Sequence, residues 1–218
     1  MTLFRLDASI LPATSASREL GDLVEAEWTA AHPTSSVVRR DLSADPTPAT
    51  AWRDAVQGGF TPEADRTDAQ QSAIALARTY ADELRGAEAL LFTVPLYNYG
   101  VSQHFKTWFD LAYTVPGIDP QGTDLRGKPA TLVTVLGGNY AEGTPKAGWD
   151  HSTDWLRRVL VDVWGLDLRL VQRPFTLVGV NPALDAFAEP AAELKRTAES
   201  AAVRSGRELA DLRGSRVA

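Results

Sequence analysis

Short apolar runs alternate along this chain with segments whose apolar residues recur every three or four positions. Short apolar runs bounded by polar residues are typical of β-strands. Apolar residues at every third or fourth position form one face of an α-helix. The apolar runs predict five strands, at residues 3–6, 36–39, 89–94, 130–136 and 168–175. The runs at 89–94 and 130–136 are almost continuously apolar, as strands buried on both faces of a sheet are.

Helical spacing predicts five helices. Ser17 is predicted to cap the first, which ends before Pro33. A fourth helix begins near Ser152, and the last runs from near Pro190 through Ala202 or beyond. The apolar faces of the first four helices carry Leu20, Leu23, Val24, Trp28 and Ala31; Ala73, Leu76, Ala77, Tyr80 and Leu84; Phe105, Trp108, Phe109 and Ala112; and Trp155, Leu156, Val159, Leu160 and Val163.

Strands that alternate with helices indicate an α/β fold, a doubly wound parallel sheet with helices on both faces. Residues 42–68 are rich in Pro, Asp and Thr and are predicted to be a long excursion between the second strand and the second helix. The sequence has no internal repeat and no linker that would divide it. We therefore predict one domain over residues 1–218, with a frayed end at 214–218.

Composition narrows the class of protein. Of 218 residues, 44% are hydrophobic and 23% charged, which is typical of soluble globular domains. The net charge of −6 argues against a nucleic-acid partner, and the absence of cysteine excludes disulfides and thiolate chemistry. No apolar stretch approaches the roughly 20 residues of a membrane helix, and the start does not look like a secretory signal. We expect a cytoplasmic protein with no membrane partner and no metal site.

Three segments follow strands one, three and four, at the sheet edge where ligands bind in doubly wound folds. The first carries the hydroxyls of Ser9, Thr14, Ser15 and Ser17 just before a helix, whose unpaired N–H groups suit a phosphate. It contains no glycine, so it is neither a dinucleotide-binding turn nor a P-loop. A serine-rich loop that only caps the helix is the alternative interpretation.

The second and third segments supply aromatic and glycine residues. Tyr97 and Tyr99 are suited to wall a flat ring, and the amide of Asn98 to bond its polar edge. Gly137 and Gly138 would let the backbone approach a ligand closely. A tyrosine turn packed on the core edge and an ordinary Gly-Gly turn are the alternatives. Together, the three segments predict a pocket with the shape of flavin mononucleotide (FMN).

Residues 3 to about 185 resemble the FMN-dependent NADH:quinone oxidoreductases known as azoreductases. The resemblance rests on Ser9-Ile10-Leu11 with Ser15-Ala16-Ser17, on PLYNYGVSQHFKTWFD from Pro95, and on GGNYAEG from Gly137. It implies a flavodoxin-like fold with strand order 2-1-3-4-5. The implied phosphate-binding residues are Ser9, Ser15, Ala16 and Ser17, and the implied isoalloxazine contacts are Leu96, Tyr97, Asn98, Tyr99, Val135, Leu136, Gly137 and Gly138.

The resemblance also implies a reaction. NADH or NADPH reduces FMN and leaves, and a quinone or azo compound then takes two electrons in a ping-pong alternation. No catalytic side chain is required, because the flavin carries the chemistry. A tailoring reductase for one aromatic or quinone metabolite, and a non-catalytic flavodoxin-like binding or sensor domain, remain alternatives.

A homodimer is the expected assembly. The fourth helix and its surroundings carry Trp149, Trp155, Val163 and Trp164, more apolar surface than one layer on a sheet needs, and the resembled family pairs in this region. Two departures from the family pattern stand out. Val135-Leu136 replaces the usual Ser-Arg, which removes a positive charge near the flavin, and the segment 112–126 is shorter, which opens the acceptor face.

Overall fold

A five-stranded parallel sheet forms the centre of the structure, a computed structural model that describes residues 1–11 and 15–211. Its spatial order is β2-β1-β3-β4-β5, and all neighbouring pairs are parallel. The predicted sheet and its order are therefore confirmed, while the predicted frayed end at 214–218 lies outside the described residues. The strands are β1 (Thr2–Asp7), β2 (Ser36–Asp41), β3 (Ala89–Thr93), β4 (Pro129–Val135) and β5 (Asp167–Arg173).

In the described part of the chain, six α-helices surround the sheet. Among the described residues, none is both long and apolar enough to cross a membrane. Short 3₁₀ segments lie at Glu63–Asp65 and Pro182–Phe187. The helices are α1 (Ala16–Ala31), α2 (Ala51–Phe60), α3 (Asp68–Gly86), α4 (Gln103–Ala112), α5 (Thr153–Arg157) and α6 (Ala188–Ala210).

Alternate residues of each strand point to opposite faces of the sheet and divide the core in two. Leu3 of β1 belongs to the cluster under α1 and α6, whereas its neighbour Phe4 belongs to the cluster under α2, α3, α4 and α5. All residues of β3 and β4 are buried. The continuous apolar runs of the sequence therefore correspond to strands covered on both faces, as predicted.

Three local predictions are corrected. Residues 42–68 contain α2, which the periodicity does not reveal because its buried face consists of Ala51, Asp54, Ala55 and Gly58. The cap of α1 is Ser15 rather than Ser17, since the Ser15 hydroxyl accepts the N–H of Arg18 at 3.4 Å.

The fourth predicted helix is also interrupted. Its α-helical part ends at Arg157 and continues as a π-helical segment, Arg158–Val163. There the N–H of Trp164 bonds to the carbonyl of Val159 at 3.0 Å, five residues back instead of four.

The contact between α1 and α6 requires glycine at position 206. A Cβ atom there would lie 2.7 Å from the carbonyl oxygen of Val24 and 2.8 Å from Cβ of Glu27. We expect Gly206→Ala to lower the free energy of unfolding by about 1–3 kcal/mol, because overpacking outweighs the better helix propensity of alanine. Urea unfolding measures the change.

Gly59 of α2 provides the matched control. No atom lies within 4 Å of a Cβ at this position, so Gly59→Ala should raise the free energy of unfolding by up to ~1 kcal/mol. Equal stability of Gly206→Ala and the wild type would show that the two helices are not this close.

Candidate functional site

The segments that follow β1 and β3 are joined by Tyr97. Its hydroxyl lies 3.2 Å from Oγ of Ser9 and accepts the N–H of Ile10 at 3.1 Å. The Ser9 hydroxyl in turn accepts the N–H of Leu11 at 3.2 Å. Because the carboxyl ends of parallel strands meet at one edge, these contacts place Tyr97 directly against the segment 8–11 that follows β1.

The start of α1 presents a cluster of donors. Oγ of Ser15 and Oγ of Ser17 lie 3.0 Å apart, and both residues are buried. The Ser15 hydroxyl accepts a hydrogen bond from the N–H of Arg18. The other N–H groups of the first helical turn have no acceptor within the helix. Among the described residues, the N–H groups of Ser15, Ala16 and Ser17 donate to no acceptor. This arrangement is suited to an anion such as a phosphate.

Arg18 stabilises this donor cluster and is not among the residues predicted from the sequence. Its guanidinium donates to both carboxylate oxygens of Asp41, at 2.8 and 2.7 Å, and to the carbonyl of Ser9 at 3.5 Å. Burial alone would raise the pKa of Asp41, but hydrogen bonds from Arg18 and Ser43 outweigh it and hold that pKa well below its usual range. A cation in the first turn of a helix interacts unfavourably with the helix dipole. The position of Arg18 in the sequence was therefore the signal that could have indicated a special role for it.

Beneath that cluster lies a buried ion-pair network on β1. Nε of Arg5 lies 3.1 Å from a carboxylate oxygen of Asp7, and the hydroxyl of Thr93 donates to Asp7 at 2.7 Å. Arg18 approaches the same carboxylate at 3.7 Å. Arg5 and Asp7 line a polar cleft of about 310 Å³ beside Ser15. The charges in the cleft are mutually paired, so the network fixes the ends of β1 and α1.

Tyr97 and Tyr99 belong to a β-hairpin in which Leu96–Tyr97 pairs with Gly100–Val101. Its two-residue loop has φ of 49° at Asn98 and 67° at Tyr99, the signs of a type I′ turn. Glycine is favoured at the second position, so a tyrosine there costs on the order of 1 kcal/mol.

The ring of Tyr99 makes contacts that offset this strain. It packs edge-on against Trp149 with centroids 5.3 Å apart, and against Tyr140 at 6.2 Å. The Nζ atom of Lys146 lies 5.5 Å from the ring centre of Tyr99 and 5.9 Å from that of Trp149. We call these four residues the cation–aromatic face. Trp149 and Tyr99 are 47% and 39% exposed, so the face is open to a ligand.

The turn after β4 contains the two predicted glycines. A Cβ on Gly137 would lie 2.7 Å from Cδ1 of Leu177, so a larger residue there would have to displace the Leu177 side chain. Leu136 is buried, and its backbone N–H and C=O bond to Arg173 and Thr176.

The turn after β4 therefore presents a ligand mainly with two backbone hydrogen-bond donors. The N–H groups of Gly137 and Gly138 have no acceptor in the described part of the chain. Val135 is buried within β4, so Val135 and Leu136 contribute apolar side chains and no polar group.

The carboxylates near the site have structural partners or lie in solvent. Asp150 accepts the N–H groups of Ser152 and Thr153, both at 2.9 Å, and the Thr153 hydroxyl at 2.6 Å, and so caps the start of α5. Glu142 is exposed. Across residues 1–11 and 15–211, no group of three His, Cys, Asp or Glu side chains is arranged to hold a metal ion.

Most of the aromatic residues around α5 pack within the core of the same chain. Trp164 is 3% exposed and donates its indole N–H to the carbonyl of Ile118 at 3.0 Å. Trp155 packs edge-on against Phe109 with centroids 5.4 Å apart, and Val163 packs on the same core. Only Trp149 of the four residues predicted to form a dimer surface is largely exposed, so the expected apolar surplus on this helix is corrected.

Comparisons with known proteins agree with this architecture. A family model described as a flavodoxin-like fold matches residues 1–200. A Frankia alni protein named FMN-dependent NADH:quinone oxidoreductase is 36% identical over 202 residues, which cover 91% of this chain and 95% of that protein. An Acidobacterium capsulatum protein of the same name is 37% identical over 212 residues, covering 93% and 100%.

Solved structures show the same fold. An FMN-dependent NADH-azoreductase from Bacillus anthracis, solved in complex with FMN, superposes with a TM-score of 0.74. The match covers 96% of this chain and 99% of that one at 16% sequence identity. An azoreductase from another strain of the same organism gives a TM-score of 0.77 at 21% identity, with 95% and 99% covered.

The contacts of Tyr99 predict that its ring anchors the segment 139–150. Tyr99→Gly removes both the strain of the turn and the ring contacts, which are worth ~0.5–1.5 kcal/mol each, so global stability should change by less than about 1.5 kcal/mol. Amide hydrogen exchange in residues 139–151 should nevertheless become about five- to tenfold faster. Tyr99→Phe keeps the ring and is the matched control, with wild-type exchange. Unchanged exchange in Tyr99→Gly would contradict the anchoring role.

Proposed function

Because the chain belongs to the flavodoxin-like fold family, we propose that it is an FMN-dependent oxidoreductase that passes two electrons from NADH to a quinone. The observation that carries the proposal is the meeting, at one sheet edge, of the donor cluster at the start of α1 and the tyrosine hairpin after β3. FMN, when bound, supplies the two-electron chemistry, and NADH, a quinone and one proton become NAD⁺ and a hydroquinone. The names of the relatives support both partners of the reaction.

The donors fit the two ends of FMN. The N–H groups of Ser15, Ala16 and Ser17, which have no acceptor among the described residues, would hold the phosphate together with the hydroxyls of Ser15 and Ser17, because its charge is favoured at a helix N-terminus. Ser9, bonded to Tyr97, would border the phosphate on the β1 side.

At the other end, Leu96, Tyr97, Asn98 and Tyr99 would line one side of the ring system. The N–H groups of Gly137 and Gly138 would meet its polar edge, and Val135 and Leu136 would support that turn from beneath.

The chain provides orientation and partial exclusion of water. The hydrogen bonds of Tyr97 to the serine segment fix the distance between the phosphate end and the ring end of the site. The rings of Tyr99 and Trp149 cover the open side without closing it. No carboxylate of the described site is free and buried in the manner of a general acid, so we propose that solvent supplies the proton.

We further propose that the electron donor, NADH or NADPH, and the acceptor, a quinone or an azo compound, use the same open face in turn. The cation–aromatic face is the open, apolar side of the site, and two flat molecules would compete for it. Steady-state assays of the FMN-loaded protein should therefore give parallel double-reciprocal lines when the quinone concentration is varied at several NADH concentrations. Intersecting lines would rule out this alternation.

FMN rather than FAD is the expected cofactor, since the site has a single anion cluster and no glycine-rich turn for a pyrophosphate. Removing a hydroxyl that bonds a charged phosphate costs ~1.5–3 kcal/mol, so Ser15→Ala/Ser17→Ala should bind FMN about 10- to 150-fold more weakly. Titration of the apoprotein measures the affinity. Thr79→Ala, which removes an exposed hydroxyl of α3, is the control. Unchanged affinity in the double variant would refute this placement.

We also propose that residues 1–218 form one domain, that the protein acts in the cytoplasm, and that it pairs as a homodimer. Support for pairing comes from exposed apolar side chains. Trp52, Val56 and Phe60 recur at every fourth position of α2 and are 50%, 38% and 88% exposed, and Trp149 is also exposed. A closed two-fold is the commonest way to bury such surface.

Light scattering should give twice the chain mass of 23.6 kDa at micromolar concentration. Phe60→Glu should shift the mass toward the monomer without unfolding the chain, because the side chain is exposed. Val180→Glu, a change at another exposed apolar residue, should leave the dimer intact. A monomeric wild type would contradict the homodimer.

A further inference from the structure

Lys146 carries a cation that has no ion-pair partner among the described residues, and it lies on the open face of the site. The ammonium of Lys146 lies within 6 Å of the rings of Tyr99 and Trp149, the range of a cation–π contact. These two rings are the exposed ones of the cation–aromatic face. The charge therefore stands at the edge of the surface on which a flat molecule would lie.

Lys146 differs from the other three lysines of the chain. Lys106 and Lys195 each pair with a carboxylate one helical turn away, and Lys128 donates to three backbone carbonyls. Within the described residues, Lys146 has no carboxylate and no carbonyl partner. The only contacts of its ammonium there are with aromatic rings, so its charge is available to a ligand.

The acidic groups nearby do not cancel this charge. Glu142 is exposed and makes no ion pair with Lys146 in the described structure. The carboxylate of Asp150 is occupied by the N–H groups of Ser152 and Thr153. The chain as a whole has a net charge of −6, so a cation without a carboxylate partner is a distinct local feature that an anionic molecule could contact.

We propose that Lys146 determines acceptor specificity, favouring a quinone or azo compound that carries an anionic group, such as a sulfonate or carboxylate, on its ring. This rests on the proposed function. The aromatic rings of the acceptor pack on Tyr99 and Trp149, and the anionic group lies against the ammonium. The substituent is unchanged by the reaction: two electrons and two protons convert the quinone to the hydroquinone, with NADH and one proton from solvent as their source.

The test compares two acceptors with the same rings, naphthoquinone and naphthoquinone sulfonate, in four proteins. Lys146→Met removes the charge and keeps the apolar stem, and Lys146→Arg keeps the charge. Lys195→Met removes an exposed lysine of α6 elsewhere on the surface. The readout is kcat/KM for each acceptor with the FMN-loaded protein, and its ratio, sulfonate over neutral quinone.

We expect Lys146→Met to lower that ratio about three- to tenfold, the effect of one partly exposed charge pair, mainly through KM of the sulfonate. Lys146→Arg and Lys195→Met should keep the wild-type ratio. Raising the salt concentration from ~20 to ~200 mM should lower the ratio in the wild type and leave it unchanged in Lys146→Met, because salt screens exposed charges. An unchanged ratio in Lys146→Met, or an equal loss for both acceptors, would overturn the proposal.

Failure of the proposal and failure of the proposed function are distinguishable. If the wild type reduces neutral naphthoquinone with NADH but Lys146→Met leaves the ratio unchanged, the specificity role is wrong and the oxidoreductase stands. If the FMN-loaded wild type reduces neither acceptor, the proposed function itself fails. If Lys146→Met raises only KM for NADH, Lys146 interacts with the electron donor and not with the acceptor. This result would also overturn the proposal.

Discussion

The site depends on the ion pairs and the hydrogen bond that the buried carboxylate of Asp7 makes. Asp7 ends β1 and lies 3.1 Å from Arg5, accepts the hydroxyl of Thr93 at the end of β3, and has Arg18 of α1 at 3.7 Å. Arg18 then extends the network to Asp41 at the end of β2. Burying these charges is costly unless each has a partner, so three strand ends and the start of α1 are held in one arrangement. The donor cluster at Ser15 and Ser17 lies on that base.

The other half of the site depends on a strained turn. Tyr99 occupies a backbone conformation that favours glycine, and its ring is used to anchor Trp149 and the segment that carries Lys146. Backbone strain of this kind persists where the surrounding contacts offset its energy, and it is found mostly at functional sites. The hairpin and the donor cluster are connected through Tyr97 and Ser9, which makes the two ends of the pocket a single unit.

The sequence predicted the sheet well, because buried parallel strands leave long apolar runs and strand order follows from the resemblance. It failed for α2, whose buried side chains are small, for Arg18, whose partner Asp41 is distant in sequence, and for Lys146, whose contact with Tyr99 is also distant in sequence. The sequence predicts that Gly137 lets a ligand approach the backbone; it does not reveal the packing contact with Leu177 that a Cβ there would make. Such roles depend on side chains that come together only in the folded chain, and no local pattern encodes them.

The most direct test of the central claim is the identity of the flavin that the purified protein carries. We predict a yellow protein with flavin absorbance, from which heat denaturation releases FMN at about one molecule per chain, and whose colour is bleached by NADH in the absence of oxygen. Release of FAD would contradict the single anion cluster. A colourless protein that fails to bind added FMN would contradict the account as a whole.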